Sequence, residues 1–310
     1  MRFKGMKDCW PPNLTYSVAA WCTAASTAVL GVGFWHATCL GGRSPFIYQE
    51  YLVKLTATKT MIVAALAFSS AAFAQTKAPE PDYTLSYNIG ATTDYRYRGI
   101  SQTAKGPALQ GGIDFAHKSG FYVGTWASTI KWIKDSSVAP GPSLKGPLEL
   151  DLYGGYKGSI NDTLGFDVGG LYYWYVDNNY KNLTTANANT FEVYGALTAG
   201  AFTGKLSVST TDLFGTANSD GSTYLDLSYA FDLGSGYTLT PHIGSQRIKG
   251  FGSYIDYSLT AAKDFDGLVV SAAVIGTNWK DHFGFPYTLP GSGGKDLGKA
   301  GLVLAIKKNF

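Results

Sequence analysis

Ten ionisable side chains fall on even-spaced positions inside segments that otherwise alternate apolar and polar residues: Asp94, Arg96 and Arg98, then Glu149 and Asp151, Glu192, Lys205, Asp226, His242 and Asp256. In an extended chain, residues two apart share a face, so each group projects from the polar side of its strand. Opposed acids and bases around a narrow wet space set up a transverse field that orders water and sorts solutes by charge and dipole. The same groups, paired off, would instead neutralise one another and fill the interior. Asp94, Arg96 and Arg98 stand closest together and mark the expected entrance or constriction.

Other chemistry-bearing patterns are weaker. His117 and Ser119, two apart, have the spacing a hydrolase could use, but they fall in a tight turn whose Lys118-Ser119-Gly120 is explained by turn chemistry alone. His242 has no His, Cys or carboxylate at ligand spacing, so no metal is expected there. Gly291 to Asp296 (GSGGKD) resembles half a phosphate loop, but Leu289 stands in place of the leading Gly and Asp296 in place of the Ser or Thr. Asp177-Asn178-Asn179 lacks the spacing of a cation loop and reads as a solvated turn. No catalytic residue, cofactor or metal is expected, and the chain is read as a non-enzyme.

Positioning the ten charged groups requires strands. Twelve are expected, near residues 83–98, 108–116, 121–132, 148–157, 163–176, 190–199, 202–211, 223–233, 237–246, 254–263, 267–276 and 300–310. In the first, Tyr83, Leu85, Tyr87, Ile89, Ala91, Tyr95 and Tyr97 alternate with Thr84, Ser86, Asn88, Thr92, Asp94, Arg96 and Arg98. The connections alternate in length along the chain, from the tight His117–Gly120 and Gly200–Ala201 to the long Ile133–Pro147 and Thr277–Lys299. Short turns on one side and long loops on the other are the habit of a transmembrane up-and-down β-barrel, and an even strand count returns both ends to the short-turn side. Such a barrel must close, because lipid offers no water to unpaired backbone groups. Aromatics fall near both strand ends: Tyr83, Phe202, Phe231, Tyr237 and Phe310 on the short-turn side, and Tyr95, Tyr97, Trp132, Trp174 and Tyr254 on the long-loop side. They form two expected interface girdles. Leu302, Leu304, Ile306 and Phe310 give the last strand a greasy face ending on an aromatic ring, interrupted only by Lys308, whose charge can reach the headgroups. A soluble β-sandwich is the competing architecture.

Upstream, Lys54 and Lys59 precede the apolar run Met61–Phe68, and Ala72-Phe73-Ala74 before Gln75 supplies a signal-peptidase site. The expected organisation is a 1–52 prefix, a signal peptide over 53–74, a short periplasmic segment over 75–82 and the barrel over 83–310. The prefix is either an extra helix or the product of a start placed too far upstream. The second is preferred, with the true start near Leu52 or Val53, because an anchor ahead of a cleavable leader has no evident use. Beyond residue 74 the charge is nearly balanced, at 19 basic against 20 acidic side chains, so the +3 of the whole chain is no argument for nucleic acid as partner. All three cysteines, Cys9, Cys22 and Cys39, lie in the prefix, which excludes disulfides and thiolate metal sites from the barrel.

The stretch Thr93-Asp94-Tyr95-Arg96-Tyr97-Arg98-Gly99-Ile100-Ser101-Gln102, followed by Pro107–Gly112 and by Gly120–Trp126, resembles the proteobacterial TorF family of porins, with the likeness running from about Tyr83 to Phe310. The resemblance implies an outer-membrane pore and carries over no catalytic residue. Twelve strands about 4.7 Å apart and tilted about 40° enclose a backbone cylinder of roughly 12 Å radius, suited to passive diffusion of ions or small polar solutes. Expected partners are outer-membrane lipid, those solutes, and the barrel-assembly machinery through Phe310. The alternatives are a structural or adhesive barrel with a closed lumen, and an outer-membrane phospholipase.

Overall fold

The computed structural model describes residues 81–310; the expected leader and prefix lie outside them. Fifteen strands form: β1 (Tyr83–Thr92), β2 (Arg96–Tyr97), β3 (Ile100–Ser101), β4 (Ala108–His117), β5 (Phe121–Thr129), β6 (Leu148–Ser159), β7 (Leu164–Val176), β8 (Thr190–Ala199), β9 (Phe202–Ser209), β10 (Thr223–Tyr229), β11 (Phe231–Gly234), β12 (Tyr237–Ile248), β13 (Gly252–Phe265), β14 (Leu268–Thr277) and β15 (Gly301–Asn309). β10 and β11 are two stretches of one strand, both paired with β12 and interrupted at Ala230. Each wall strand then pairs antiparallel with its sequence neighbour, and β1 pairs with β15, so that twelve strands close into a barrel with no free edge.

The period-two pattern decides which residues face which solvent. Register carries one face from strand to strand. Ser86 stands opposite Asp114, Asp114 opposite Gly124, and Gly124 opposite Tyr153, all inward, while Leu85 stands opposite Phe115, Phe115 opposite Val123, and Val123 opposite Gly154 outside. The outer surface is apolar through its middle and openly exposed, Leu109 to 67% and Leu302 to 65%. Water would be a poor solvent for so continuous an apolar surface, and lipid is a good one. Cations on this face sit at strand ends: Lys263 lies over the Tyr237 ring at 4.2 Å, and Lys308 Nζ donates to the Asp266 carbonyl at 2.8 Å. The soluble-sandwich alternative is therefore set aside.

Loop lengths alternate as expected except at the three-residue turn Lys249–Phe251 between β12 and β13, and the long loops fold inward over one mouth. They contribute two apolar clusters. One is built on Tyr95, Ile130, Trp132, Ile133, Leu144, Tyr173 and Tyr175, the other on Ile100, Tyr254, Trp279 and Leu297, with Leu289 packed against both.

Two expectations are corrected here. The first strand ends at Thr92 rather than at residue 98, and the third stops at Thr129, after which Trp132–Asp135 makes one helical turn. Consequently Tyr95, Tyr97 and Trp132 are not lipid-interface aromatics. Tyr95 and Trp132 keep only 8% and 9% of their surface, because the chain turns into the barrel where a continued strand would have climbed into the headgroups. Tyr254, on the same expected girdle, is also buried inside. Tyr83, Trp174, Phe202, Tyr237 and Phe310 are exposed at the strand ends.

Candidate functional site: a hairpin across the lumen

The segment between β1 and β4 folds back into the barrel. Asp94 organises its base. The Arg96 Nε donates to Asp94 Oδ2 at 2.6 Å, Ser101 Oγ donates to Asp94 Oδ1 at 2.5 Å, and the Asp94 amide leans on Thr92 Oγ1. β2 and β3 then pair as a minimal hairpin whose two turn residues, Arg98 and Gly99, both have positive φ, +46° and +78°. A two-residue turn of that kind matches the twist of the flanking strands and favours Gly at its second position. A Cβ on Gly99 would also meet Thr277 Cγ2 at 2.5 Å and Asp256 Cβ at 2.7 Å, so the tip is seated against the wall too tightly for any other residue. Arg98 accepts a left-handed conformation that costs a non-glycine residue about 1–2 kcal/mol.

What offsets that cost is the far wall. β8 stands five strands from β1 in one direction and seven in the other, close to diametrically opposite. There Arg98 Nη2 donates to both oxygens of Glu192, at 2.9 and 2.7 Å, and Nη1 donates to Gln246 Oε1 on β12 at 2.5 Å. The guanidinium lies over the Tyr224 ring at 4.2 Å and the Tyr97 ring at 4.8 Å. Tyr95 Oη donates to Glu149 on β6 at 2.8 Å, and Tyr97 Oη to Tyr173 Oη on β7 at 2.8 Å. Arg96 Nη1 donates to the carbonyls of Gly99, Leu297 and Lys299, which fastens the hairpin to the last long loop. The Arg98 and Glu192 side chains are 6% and 3% exposed. A desolvated, multiply bonded Arg–carboxylate pair holds firmly because removing either partner strands a buried charge.

Carboxylates outnumber cations at this level. Glu149, Asp151, Glu192 and Asp256 are all buried in the wall around the hairpin. Asp151 Oδ1 and Asp256 Oδ2 are among the described buried polar atoms without a hydrogen-bond partner. On the short-turn side of the hairpin a second group surrounds a cavity of about 320 Å³, with Lys205, Asp226, His242 and Asp256 in its wall. His242 Nε2 is 3.4 Å from Asp226 Oδ1 and its Nδ1 is 3.8 Å from Asp256 Oδ1, while Tyr224 Oη donates to Asp256 Oδ1 at 3.2 Å. Farther toward the short turns, Tyr122 donates to Asp167 Oδ1 and Tyr153 to Asp114 Oδ1, each at 2.5 Å. Both rings lie against glycines of the adjacent strand, Gly155 and Gly124, where a Cβ would collide with them.

All ten charged groups are thus inside the barrel, but in two different ways. Glu149, Asp151, Glu192, Lys205, Asp226, His242 and Asp256 sit on inward positions of wall strands. Asp94, Arg96 and Arg98 do not line the first strand; they build the structure that crosses the lumen. Sequence reasoning missed the receivers of that crossing: Tyr173, Tyr224, Gln246 and the Leu297 carbonyl. The Arg98-Gly99 pair between short polar-aromatic stretches was the one local signal of a hairpin.

His117 Nδ1 and Ser119 Oγ are 2.7 Å apart in an exposed turn, and the Ser119 amide also donates to that ring nitrogen, so the pair serves the turn. No group of three His, Cys, Asp or Glu side chains suited to a metal occurs among the described residues.

No curated protein matches the chain. Among solved structures it is similar to the KdgM porin (9% identity, TM-score 0.46, covering 73% of this chain and 99% of that one) and to the NanC porin (9%, TM-score 0.45, 73% and 99%). It is also similar to the COG4313 outer membrane channel from Pseudomonas putida F1 (14%, TM-score 0.39, 78% and 100%). A family model covers residues 76–310, and the chain belongs to that family, described as a bacterial protein of unknown function (Gcw_chp).

Proposed function

We propose that the chain is an outer-membrane channel for passive movement of ions or small polar solutes, gated by the Asp94–Ser101 hairpin. The observation that carries this reading is the Arg98 bridge to Glu192 and Gln246: a strut from one wall to the other, held by bonds that a displaced hairpin would exchange for water. Support also comes from the polar wall that continues below it, past Lys205, Asp226 and His242 to Asp114 and Asp167. The lipid-compatible exterior and the resemblance of the Asp94–Gln102 stretch to TorF porins point the same way. In this reading export removes residues up to Ala74, the mature chain begins at Gln75, and Phe310 addresses it to the assembly machinery in the outer membrane. His117 and Ser119 have no catalytic part.

Planar-bilayer recording tests it. Wild type should rest in a low-conducting state with brief openings, and Arg96→Ala with Arg98→Ala should raise the open fraction and alter the reversal potential across a salt gradient. Unchanged conductance and selectivity in that double variant would sink the gate. One observation favours a second reading, a structural barrel with a closed lumen: Thr92, Ser128, Glu149, Glu192, Gln246 and Asp256, from six different wall strands, are all buried at the hairpin's level. Silence of both wild type and double variant, with the barrel intact, would select it.

A further inference from the structure

The inward face of the wall strands is acidic in sum. On the short-turn side of the hairpin it carries Asp114, Asp167, Asp226, Asp232 and Asp264. At the hairpin's level it carries the four carboxylates already described, Glu149, Asp151, Glu192 and Asp256. Against these nine stand the ammonium groups of Lys157, Lys205 and Lys307, with His242 beside them, among the described wall residues. Arg96 is taken up by Asp94, so the seated hairpin adds only Arg98 to the wall's own cations. A narrow lumen with that balance concentrates cations and depletes anions.

The guanidinium that crosses this lumen rests in a seat built by other strands. Glu192 comes from β8, Gln246 from β12 and Tyr224 from β10. Each is held in place by groups other than Arg98. Gln246 Nε2 donates to the carbonyls of Thr223 and Arg247, which fixes the amide and leaves its Oε1 to accept. Tyr224 Oη donates to Asp256 Oδ1, and Tyr173 Oη donates to Glu192 Oε2 at 3.3 Å. A displaced hairpin therefore leaves behind a carboxylate, an amide oxygen and an aromatic face in the arrangement that a guanidinium occupies now. The cavity of about 320 Å³ adjoins the seat, with Arg98, Tyr173 and Tyr224 in its wall together with Asp226 and Asp256.

We propose that the seat of Arg98 is also the binding site for the cationic head of the solute, a guanidinium or a primary ammonium, and that the channel's substrates are small organic cations. This rests on the channel reading given above. The solute's N–H groups take the place of those of Arg98 on Glu192 and Gln246, and its charge lies over Tyr224. The hairpin can then leave without stranding a buried carboxylate. Arg98 is tethered and competes at an effective concentration on the order of millimolar, so the solute is held weakly. A weak site suits conduction, which requires that a solute leave as readily as it enters. An anion has no such place, since Arg96 and Arg98 are engaged and Lys205 stands directly opposite Asp226.

The test begins with Arg98→Ala in detergent, which empties the seat and leaves its wall in place. Methylguanidinium chloride at about 10 mM should raise the Tm of this variant by a few degrees, and tetramethylammonium chloride, with the same charge and no N–H, should raise it less than half as much. Adding Glu192→Gln should cut the methylguanidinium shift at least threefold, and wild type, whose seat is filled, should show a similarly small one. Equal shifts with both salts, or a shift that survives Glu192→Gln, would overturn the site. In a planar bilayer, wild type under a potassium chloride gradient should reverse at the sign of a cation-selective pore. Methylguanidinium should raise its open fraction at least twofold, and tetramethylammonium should not. Reversal at zero or at the anion-selective sign would overturn the substrate class, and the recording decides the matter alone if Arg98→Ala does not fold. A silent wild-type barrel with a stabilised Arg98→Ala variant would keep the site and remove the channel. Cation-selective conductance without any methylguanidinium effect would keep the channel and remove the site.

Discussion

The two halves of the lumen are lined by the same strands and obey the same inward periodicity, yet they differ in kind. On the long-loop side the charges are desolvated and bonded across the barrel, Arg98 to Glu192 and Tyr95 to Glu149, under a roof of packed aromatics. On the short-turn side, Lys205, Asp226 and His242 are only partly buried, and the tyrosines lie flat on the wall over glycines. Twelve strands alone make a wet tube. A single inserted segment, stabilised by residues it borrows from opposite walls, turns half of that tube into a protein interior.

Gly99→Val should break the contrast most severely. Its side chain has nowhere to go between Thr277 and Asp256, and the positive φ forbids it independently, so the hairpin should leave its seat. The expected readout is a several-fold rise in mean conductance with the gel shift of a folded barrel retained. Glu192→Ala comes next. It leaves the Arg98 guanidinium buried without its partner, a loss of about 3–5 kcal/mol in hairpin seating, visible as faster amide exchange over residues 94–103. Tyr95→Phe removes one buried bond to Glu149 and should lower stability by about 1–2 kcal/mol, measured as a lower Tm in detergent, with channel selectivity unchanged. Lys205→Ala should have the smallest structural effect, within about 1 kcal/mol, and should move the reversal potential toward cations without changing the open fraction. A large rise in open fraction from Lys205→Ala, or none from Gly99→Val, would erase the distinction between the halves.

Much of this was legible in the residues. Alternation in Tyr83–Thr92 and Leu302–Ile306, the run of short and long connections, and the exposed aromatics Tyr83, Tyr237 and Phe310 led to a twelve-stranded barrel with ten inward charges. The boundaries that failed are informative. Thr92 to Arg98 keeps the same apolar-polar alternation as the strand before it, so period alone extends β1 through Asp94, Arg96 and Arg98. The chain departs because Asp94 has better partners in Arg96 and Ser101 than a strand would provide, and those partners exist only once the segment has bent. Trp132 misled in the same way: its place at a strand end matches a girdle, but its ring packs against Tyr175 and Tyr180 on other segments.

Local sequence thus determined everything with a short period: which side of each strand meets lipid, where the turns fall, and that the inside carries charge. The backbone's two-residue repeat and the length of a connection are properties of neighbours along the chain. Only the tertiary structure decided that Arg98 meets Glu192, 94 residues away, and that Trp132 and Trp279 share one chamber. Those outcomes depend on which walls the closed ring brings opposite each other, and no window of neighbouring residues contains that information.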